Sequence, residues 1–210
     1  MTADQRREQG LLFAPGDPEL AAIKLRTHCL NQDYNACRED EKEKRDEILG
    51  RMMRSIGKAS FLQGPITFHY GIHTTIGEHV FINFNFTCQD DAEVVIEDNC
   101  SLGPNVTIVT PVHPMVASER RVMKDENGKD GHFCYAKPVH IGSDCWIGAN
   151  VVICPGVTIG AGCVIGAGSV VVHDIPCGTF AAGNPCRVIR EITEADSMMN
   201  HPERLGGYSV

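Results

Sequence analysis

From residue 141 onward an aliphatic side chain returns every six positions, at Ile141, Ile147, Ile153, Ile159, Ile165 and Val171. Glycine follows at Gly142, Gly148, Gly160 and Gly166, and a smaller series runs two residues ahead: Cys145, Val151, Val157, Cys163 and Ser169. The same phase surfaces earlier at Ile76 and Ile82, then at Ile96, Leu102 and Ile108, with Val80, Val94, Cys100 and Val106 as companions. Neither the helical nor the alternating-strand period describes this pattern. A period of six predicts a short strand and a turn per repeat, three repeats closing one triangular coil. The aliphatic side chains then point into the prism and stack coil on coil, while glycine and small residues turn the corners. The predicted fold is mainly β: a left-handed parallel β-helix, against the right-handed preference of ordinary parallel crossovers.

Two interruptions carry information. Fourteen residues separate Ile82 from Ile96, which places two extra residues in the stretch Asn83–Asp91. The phase is then lost across 111–137, a segment with a turn-rich tip from Lys124 to Gly131. Loops of that length inside a compact domain are usually functional or disordered. Ahead of the coils, Asp17-Pro18 reads as an N-cap with proline in the first turn, followed by Leu20, Ile23, Leu30 and Tyr34 at near-helical spacing. A second helix carries the charges Glu41 to Lys44 and the apolar stripe Ile48, Leu49, Met52, Met53 and Ile56. A solenoid needs its first coil covered, and this helix pair can supply the cover. The expected organisation is a helical cap over residues 1–60, the β-helix over 61–190 with its insertion at 111–137, and a terminal tail or short helix over 191–210.

Composition narrows the function classes. With 19 basic and 27 acidic residues the net charge is -8, and no stretch is strongly basic, which disfavours nucleic acid and anionic membrane as partners. The first ten residues are polar, without the apolar core of a signal peptide, and no run approaches a membrane span. A cytoplasmic location is expected. The 10 cysteines include no Cys-x-x-Cys pair, which points to reduced thiols filling small core positions rather than to a zinc site.

Several segments together resemble the galactoside and maltose O-acetyltransferases. They are Ile82-Asn-Phe-Asn85, Asn105-Val-Thr107, His113-Pro114, Trp146-Ile-Gly148, Pro155-Gly-Val-Thr-Ile-Gly160, Ile165-Gly-Ala-Gly-Ser169 and Ala182-Gly-Asn-Pro-Cys-Arg187. The resemblance runs from about Leu11 to Arg190, and its specific part is His-Pro in the loop, the Asn-Phe-Asn segment and the C-terminal Asn-Pro-Cys-Arg. It implies a homotrimer with active sites between subunits, acetyl-CoA as donor and a sugar hydroxyl as acceptor. No metal is expected.

Transfer of an acetyl group from a thioester to an alcohol needs a base, and histidine suits that task near neutral pH. Nine histidines are present; His113 is set apart by its loop position and by Pro114, which holds it in extended backbone. The family match assigns it the base role, in a direct transfer without an acyl-enzyme. His69 and His73 lie too far apart to share one ion if the chain between them is extended. A zinc carbonic anhydrase of the same fold would need further loop histidines that are not in place, and His132 and His140 have no assignment. The resemblance carries acceptor binding onto Asn83 and Asp91; from the residues alone, Asn83 could be a corner residue and Asp91 could hold His113 or the loop. It places Trp146, Ala149 and Ala167 along acetyl-CoA, and Arg187 and Arg190 at its nucleotide end, where guanidinium suits phosphate. Trp146 could equally be an aromatic at a subunit contact.

This chain departs from the family at several positions. Lys24 stands for an arginine, Pro15 for an aspartate, Ala149 for a serine, Cys134 for a methionine lining the acceptor site, and Val172-His173 for Thr-Lys beside the nucleotide. The rival expectations are a hexapeptide-type antibiotic acetyltransferase, which the N-terminal helix pair disfavours, and a non-catalytic scaffold.

Overall fold

In the computed structural model, which describes all residues except 125–127, 207 and 209–210, strands pair in parallel at a fixed offset along the chain. Ser55 pairs with Thr75 and Trp146 with Val164, offsets of 20 and 18 residues that each correspond to one coil. About six coils stack to give three flat faces. The first face comprises Ser55–Ile56, Thr74–Ile76, Val94–Ile96, Val139–Ile141 and Thr158–Ile159. The second comprises Phe61–Leu62, Phe81–Ile82, Ser101–Leu102, Trp146–Ile147, Val164–Ile165 and Thr179–Ala182, and the antiparallel strand Arg187–Glu191 closes it. The third comprises Ile66–Phe68, Phe86–Gln89, Thr107–Val109, Val152–Ile153 and Val170–Val171.

The six-residue period sets the interior as expected. Leu62, Ile82, Leu102, Ile147 and Ile165 form one buried column behind the second face, and the smaller companions Val80, Cys100, Cys145 and Cys163 form another at its edge. All ten cysteines are free, and eight of the ten thiols, including those three, are half-buried or buried in packing positions, as where Cys145 donates to the Gly160 carbonyl (3.1 Å). At the edge between the second and third faces, Asn85, Asn105 and Asn150 take φ near +60°. Asparagine tolerates that region better than other non-glycine residues, and here the side chains also bond to one another, Asn85 to Asn105 and Asn105 to Asn150, at 3.0 Å each.

The structure relocates the first interruption. Ile82 and Cys88 keep the six-residue step, and Phe86 is the companion, so Asn83–Asn85 is an ordinary corner. The two extra residues sit in the following corner, 89–93, which carries Asp90 and Asp91 at the edge between the third and first faces. Coil one has the same enlarged corner over 69–73. The phase was hard to follow here because Phe68, Phe86 and Cys88 occupy interior positions that elsewhere hold Ile, Leu or Val.

Both ends are covered. Helix α1 (Ala3–Glu8) was not expected from the polar N-terminus; it begins with a capping box between Thr2 and Gln5 and buries Arg7. Helix α2 (Pro18–Asn35) starts on the Asp17 cap and lies along the edge strand Ile66–Phe68. Its Asn31 donates to the Phe68 carbonyl (2.7 Å) and accepts from the Phe68 amide (3.1 Å); Asn35 does the same for Ile66 at 2.8 Å each way. Two side-chain amides thus stand in for the missing neighbouring strand. Helix α3 (Lys42–Met52) ends before two of the stripe residues: Met53 is extended and Ile56 belongs to the first strand of the prism. At the far end the strand Arg187–Glu191 closes the prism, and the terminal segment follows as the 3-10 turns Glu194–Asp196 and Met198–Asn200 and the one-turn helix α4 (Pro202–Leu205). No helix among the described residues is long and apolar enough to cross a membrane.

The segment 111–137 leaves the prism at the edge between the third and first faces. Its base is a two-stranded ladder, Pro111–Val112 against Tyr135–Ala136, followed outward by the 3-10 turn Ala117–Arg120 and the short hairpin Met123–Lys124 against Asp130–Gly131. Part of the turn-rich tip, 125–127, lies outside the described residues.

Candidate functional site

The candidate residues fall on two different edges of the prism. One group surrounds Asp91 in the enlarged corner of coil two. Asp91 is 3% exposed, and among the described residues its Oδ2 has no hydrogen-bond partner. The hydroxyl of Tyr70, 0% exposed in the corresponding corner of coil one, is likewise unpartnered. Buried polar atoms are normally satisfied, so two such atoms in one region call for an explanation. Burial, and next the neighbouring Asp90, push the Asp91 carboxyl up to about 6; Lys24 and Arg7 pull it partly back. Burial and the charge of Asp91 also push the Tyr70 phenol up. Lys24 lies 5.8 Å from the Tyr70 ring centroid and donates to the Pro15 carbonyl at 2.6 Å.

The scaffold around these groups is a second apolar cluster of Phe13, Leu20, Tyr70, Ala92, Cys134 and Ala136. Phe13 bridges to Cys134 through backbone bonds of 2.9 and 3.1 Å, which ties the segment before α2 to the base of the long loop. Arg7 of α1 donates to the Asp91 carbonyl at 3.0 Å. Asp90 holds the corner from inside, accepting from the Tyr70 amide (2.8 Å) and the Thr74 hydroxyl (3.0 Å). The corner 69–73 is a turn and not extended chain, so the distance argument applied to His69 and His73 does not hold. Both rings pack on Tyr70, at 4.9 and 5.1 Å, and burial lowers both to about 4.

His113 follows Val112 of the loop ladder at this same edge and is exposed. It springs one coil above Asp91: Thr110, just before the ladder, accepts from the Ala92 amide at 2.9 Å.

The second group lies along the edge between the second and third faces. Asn83 bonds through its amide to Leu102, Gly103 to Ile147, and Gly148 to Ile165, so Asn83, Gly103, Gly148 and Gly166 form one vertical column. Asn83 is half-buried, and its Oδ1 accepts from the Phe84 amide at 2.8 Å. The left-handed corner residue here is Asn85, so the alternative reading of Asn83 as that residue is set aside. Ala149 and Ala167 follow two of the column glycines, one coil apart. A Cβ on Gly148 would stand 2.6 Å from the Ala167 nitrogen, so glycine lets adjacent coils approach at this edge. Trp146, 59% exposed, stands on the second face beside them.

Val172 and His173 are exposed at the end of the third face, and Arg187 and Arg190 lie on the closing strand. The two segments adjoin, since the Cys186 amide donates to the Val170 carbonyl at 2.8 Å. Arg187 donates to the Cys186 carbonyl, whereas Arg190 makes a two-bond ion pair with Asp196 (2.6 and 2.7 Å) and lies over the Phe180 ring. Asp196 is held near 2 by that guanidinium and by the Thr193 amide. Within one chain the structure therefore places His113 on the same edge as Asp91, and Asn83 on the same edge as Trp146, Ala149 and Ala167. It keeps the two groups apart by the width of the third face, about 16 Å for five residues of strand. Tyr70 and Arg7 were missed in the sequence. For Arg7 the Thr2–Gln5 capping box offered a signal; for Tyr70 nothing short of the folded corner would have shown its unpartnered hydroxyl.

Comparison with known proteins identifies the family. Residues 6–57 match the maltose acetyltransferase hexapeptide capping motif, and residues 138–173 match the bacterial transferase hexapeptide of six repeats. The chain is 40% identical over 196 residues to the galactoside O-acetyltransferase of Escherichia coli K12, covering 93% of this chain and 92% of that one. It is 35% identical over 188 residues to the galactoside O-acetyltransferase of Lactococcus lactis (88% and 86%). A galactoside acetyltransferase solved in complex with coenzyme A superposes with a TM-score of 0.85 at 40% identity, over 93% of this chain and 94% of that one. A maltose O-acetyltransferase from Clostridium difficile 630 gives the same TM-score of 0.85 at 40% identity (92% and 99%).

Proposed function

The chain belongs to the hexapeptide-repeat galactoside and maltose O-acetyltransferases, and from that premise we propose that it acetylates a sugar hydroxyl with His113 as general base. It is a CoA-dependent acyltransferase with acetyl-CoA as co-substrate. The observation that carries the acceptor assignment is the unpartnered Asp91 Oδ2 and Tyr70 hydroxyl below the loop that bears His113. A sugar supplies donors and acceptors for both, and a carboxylate fixes which hydroxyl faces the imidazole. His113 accepts the hydroxyl proton as the oxygen attacks the thioester carbon, then returns a proton to the departing thiolate. The thioester is already activated, so holding both substrates in line suffices without an acyl-enzyme. Backbone N–H groups at Ala149 or Ala167 are the donors for the developing oxyanion, since Ala149 offers no hydroxyl, and the Asn83 side chain helps orient the acceptor. Trp146 walls the pantetheine arm. Arg187 meets the nucleotide phosphates, and Arg190 joins it by sharing its guanidinium with Asp196. Val172 and His173 line the same end in place of the family's Thr-Lys, and His173 or an arginine takes over the contact of the missing lysine.

The reading further takes the active protein to be a homotrimer. The supporting observation is the separation of the two groups on different edges of one prism. A three-fold arrangement sets the His113–Asp91 edge of one chain against the Asn83–Ala149 edge of the next.

The test follows CoA and acetylated product by mass spectrometry across glucosides, galactosides, maltose and chloramphenicol, because ten cysteines would confuse a thiol dye. The expected result is turnover on a sugar that falls about 10²–10⁴-fold in His113→Ala with acetyl-CoA binding retained. Turnover confined to chloramphenicol would replace the sugar acceptor with an antibiotic. Full activity in the variant would remove His113 from the mechanism.

A further inference from the structure

We infer that Arg120 is a positioning residue for His113, acting through the backbone that follows it; the inference rests on the base reading above. Within a single chain the loop around His113 is not held by burial. Met115 is 88% exposed and Val116 55%, and His113 itself is exposed. Before His113 the chain is fixed by the ladder pairing of Val112 with Tyr135. After it, the ring of Pro114 fixes one dihedral, but nothing apolar fixes the next two peptide planes. Arg120 supplies that constraint. Its Nη1 donates to the Pro114 carbonyl at 3.0 Å and to the Met115 carbonyl at 2.6 Å, so one guanidinium nitrogen turns two consecutive carbonyls to the same side.

The guanidinium is itself placed by local structure. Arg120 ends the 3-10 turn Ala117–Arg120, which closes on the Val116 carbonyl through Glu119 (3.0 Å), and its own carbonyl lies 3.3 Å from Nδ1 of His132 on the returning limb. The backbone at His113 is thus bracketed by the ladder on one side and by Arg120 on the other. Without Arg120 the segment after Pro114 samples other conformations, and the imidazole spends less time in line with the acceptor. Loss of one charge-assisted bond in each productive conformer corresponds to about a tenfold fall in that population.

The test compares Arg120→Ala and Arg120→Lys with His113→Ala and the double variant His113→Ala/Arg120→Ala. The expected pattern in Arg120→Ala is a kcat lowered about tenfold, an unchanged KM for acetyl-CoA and an unchanged pKa in the profile of kcat/KM. Arg120→Lys, which keeps a donor within reach of one carbonyl, recovers part of the loss. Amide exchange at Met115 and Val116 quickens in Arg120→Ala. In the His113→Ala background, removing Arg120 costs nothing more, because the two residues act as one unit. An unchanged kcat in Arg120→Ala overturns the inference, as does a further loss on top of His113→Ala. A raised KM for acetyl-CoA overturns it in favour of a direct co-substrate contact. If His113→Ala alone keeps full turnover, the base reading falls and takes the positioning role with it, whatever the exchange rates show.

Discussion

Asp90 and Asp91 are adjacent, both buried and both pushed up in pKa, yet only one is spent on structure. Asp90 has its carboxylate on the Tyr70 amide and the Thr74 hydroxyl, while Asp91 keeps an oxygen unused. That difference was not legible in the sequence, where Asp-Asp is simply two acidic residues; only the family resemblance singled out the second. The sign of its effect on stability follows from its raised value of about 6. In the unfolded chain an aspartate loses its proton near 4, so from about pH 4 to 6 the folded state holds a proton that the unfolded state has released. The contribution of Asp91 to stability is therefore full in acid and is lost as pH rises through about 6. Asp91→Asn is expected to be more stable than the parent at pH 7, by up to about 2–3 kcal/mol, with the gain shrinking toward pH 4. Urea unfolding across that range checks it, and equal stability of the two at pH 7 would contradict the raised carboxyl. The same variant loses the carboxylate acceptor, so its KM for the sugar rises. Tyr70→Phe tests the companion atom. Removing an unpartnered buried hydroxyl leaves stability unchanged or improved, and raises the acceptor KM while that for acetyl-CoA stays constant.

At the scale of the element, the prism was the part most readable in advance, because a column of interior side chains repeats its residue type in every coil. Reading failed where the interior position changed type, at Phe68, Phe86 and Cys88, and where an element had no apolar stripe, as in α1. The cover over the first coil was predicted as a packed apolar face. Its decisive feature is polar: Asn31 and Asn35, one turn apart on α2, satisfy both the donor and the acceptor of Phe68 and Ile66. Asn31→Ala leaves a buried N–H and a buried C=O unpaired, and at about 1–3 kcal/mol for each it lowers the urea midpoint more than any change in helix propensity could. An Asn31→Ala protein as stable as its parent would show that water replaces the amide. The glycine column makes a second element-level prediction. Gly148→Ala forces a Cβ to within 2.6 Å of the Ala167 nitrogen, whereas Gly162→Ala meets nothing within 4 Å and strains only a φ of +68°. Gly162→Ala therefore costs stability of the order of 1 kcal/mol without touching catalysis. Gly148→Ala displaces the corner that carries Ala149 and Ala167, and the KM for acetyl-CoA rises with it.

For the whole molecule, the argument turns on which residues one chain can bring together. His113 and Asp91 share the edge between the third and first faces; Asn83, Ala149 and Ala167 share the edge between the second and third. The sequence placed them all in one site through resemblance, and the fold of a single chain divides them. The homotrimer proposed above, in which two chains complete each site, resolves the division, and it makes a prediction that a one-chain site cannot meet. His113→Ala and Asn83→Ala are each expected to be nearly inactive. When the two are denatured together and refolded as mixed trimers, a complete site forms wherever the Asn83→Ala chain presents its intact His113 to the intact Asn83 of a His113→Ala neighbour. Random mixing in equal amounts places such a pair at about a quarter of the interfaces in a closed three-fold ring. Activity near a quarter of the parent should therefore return on mixing, with unchanged KM values, because the restored sites carry no substitution. No recovery in mixed trimers verified by native mass spectrometry would mean that His113 and Asn83 serve the same site from the same chain, with the loop 111–137 reaching across its own third face.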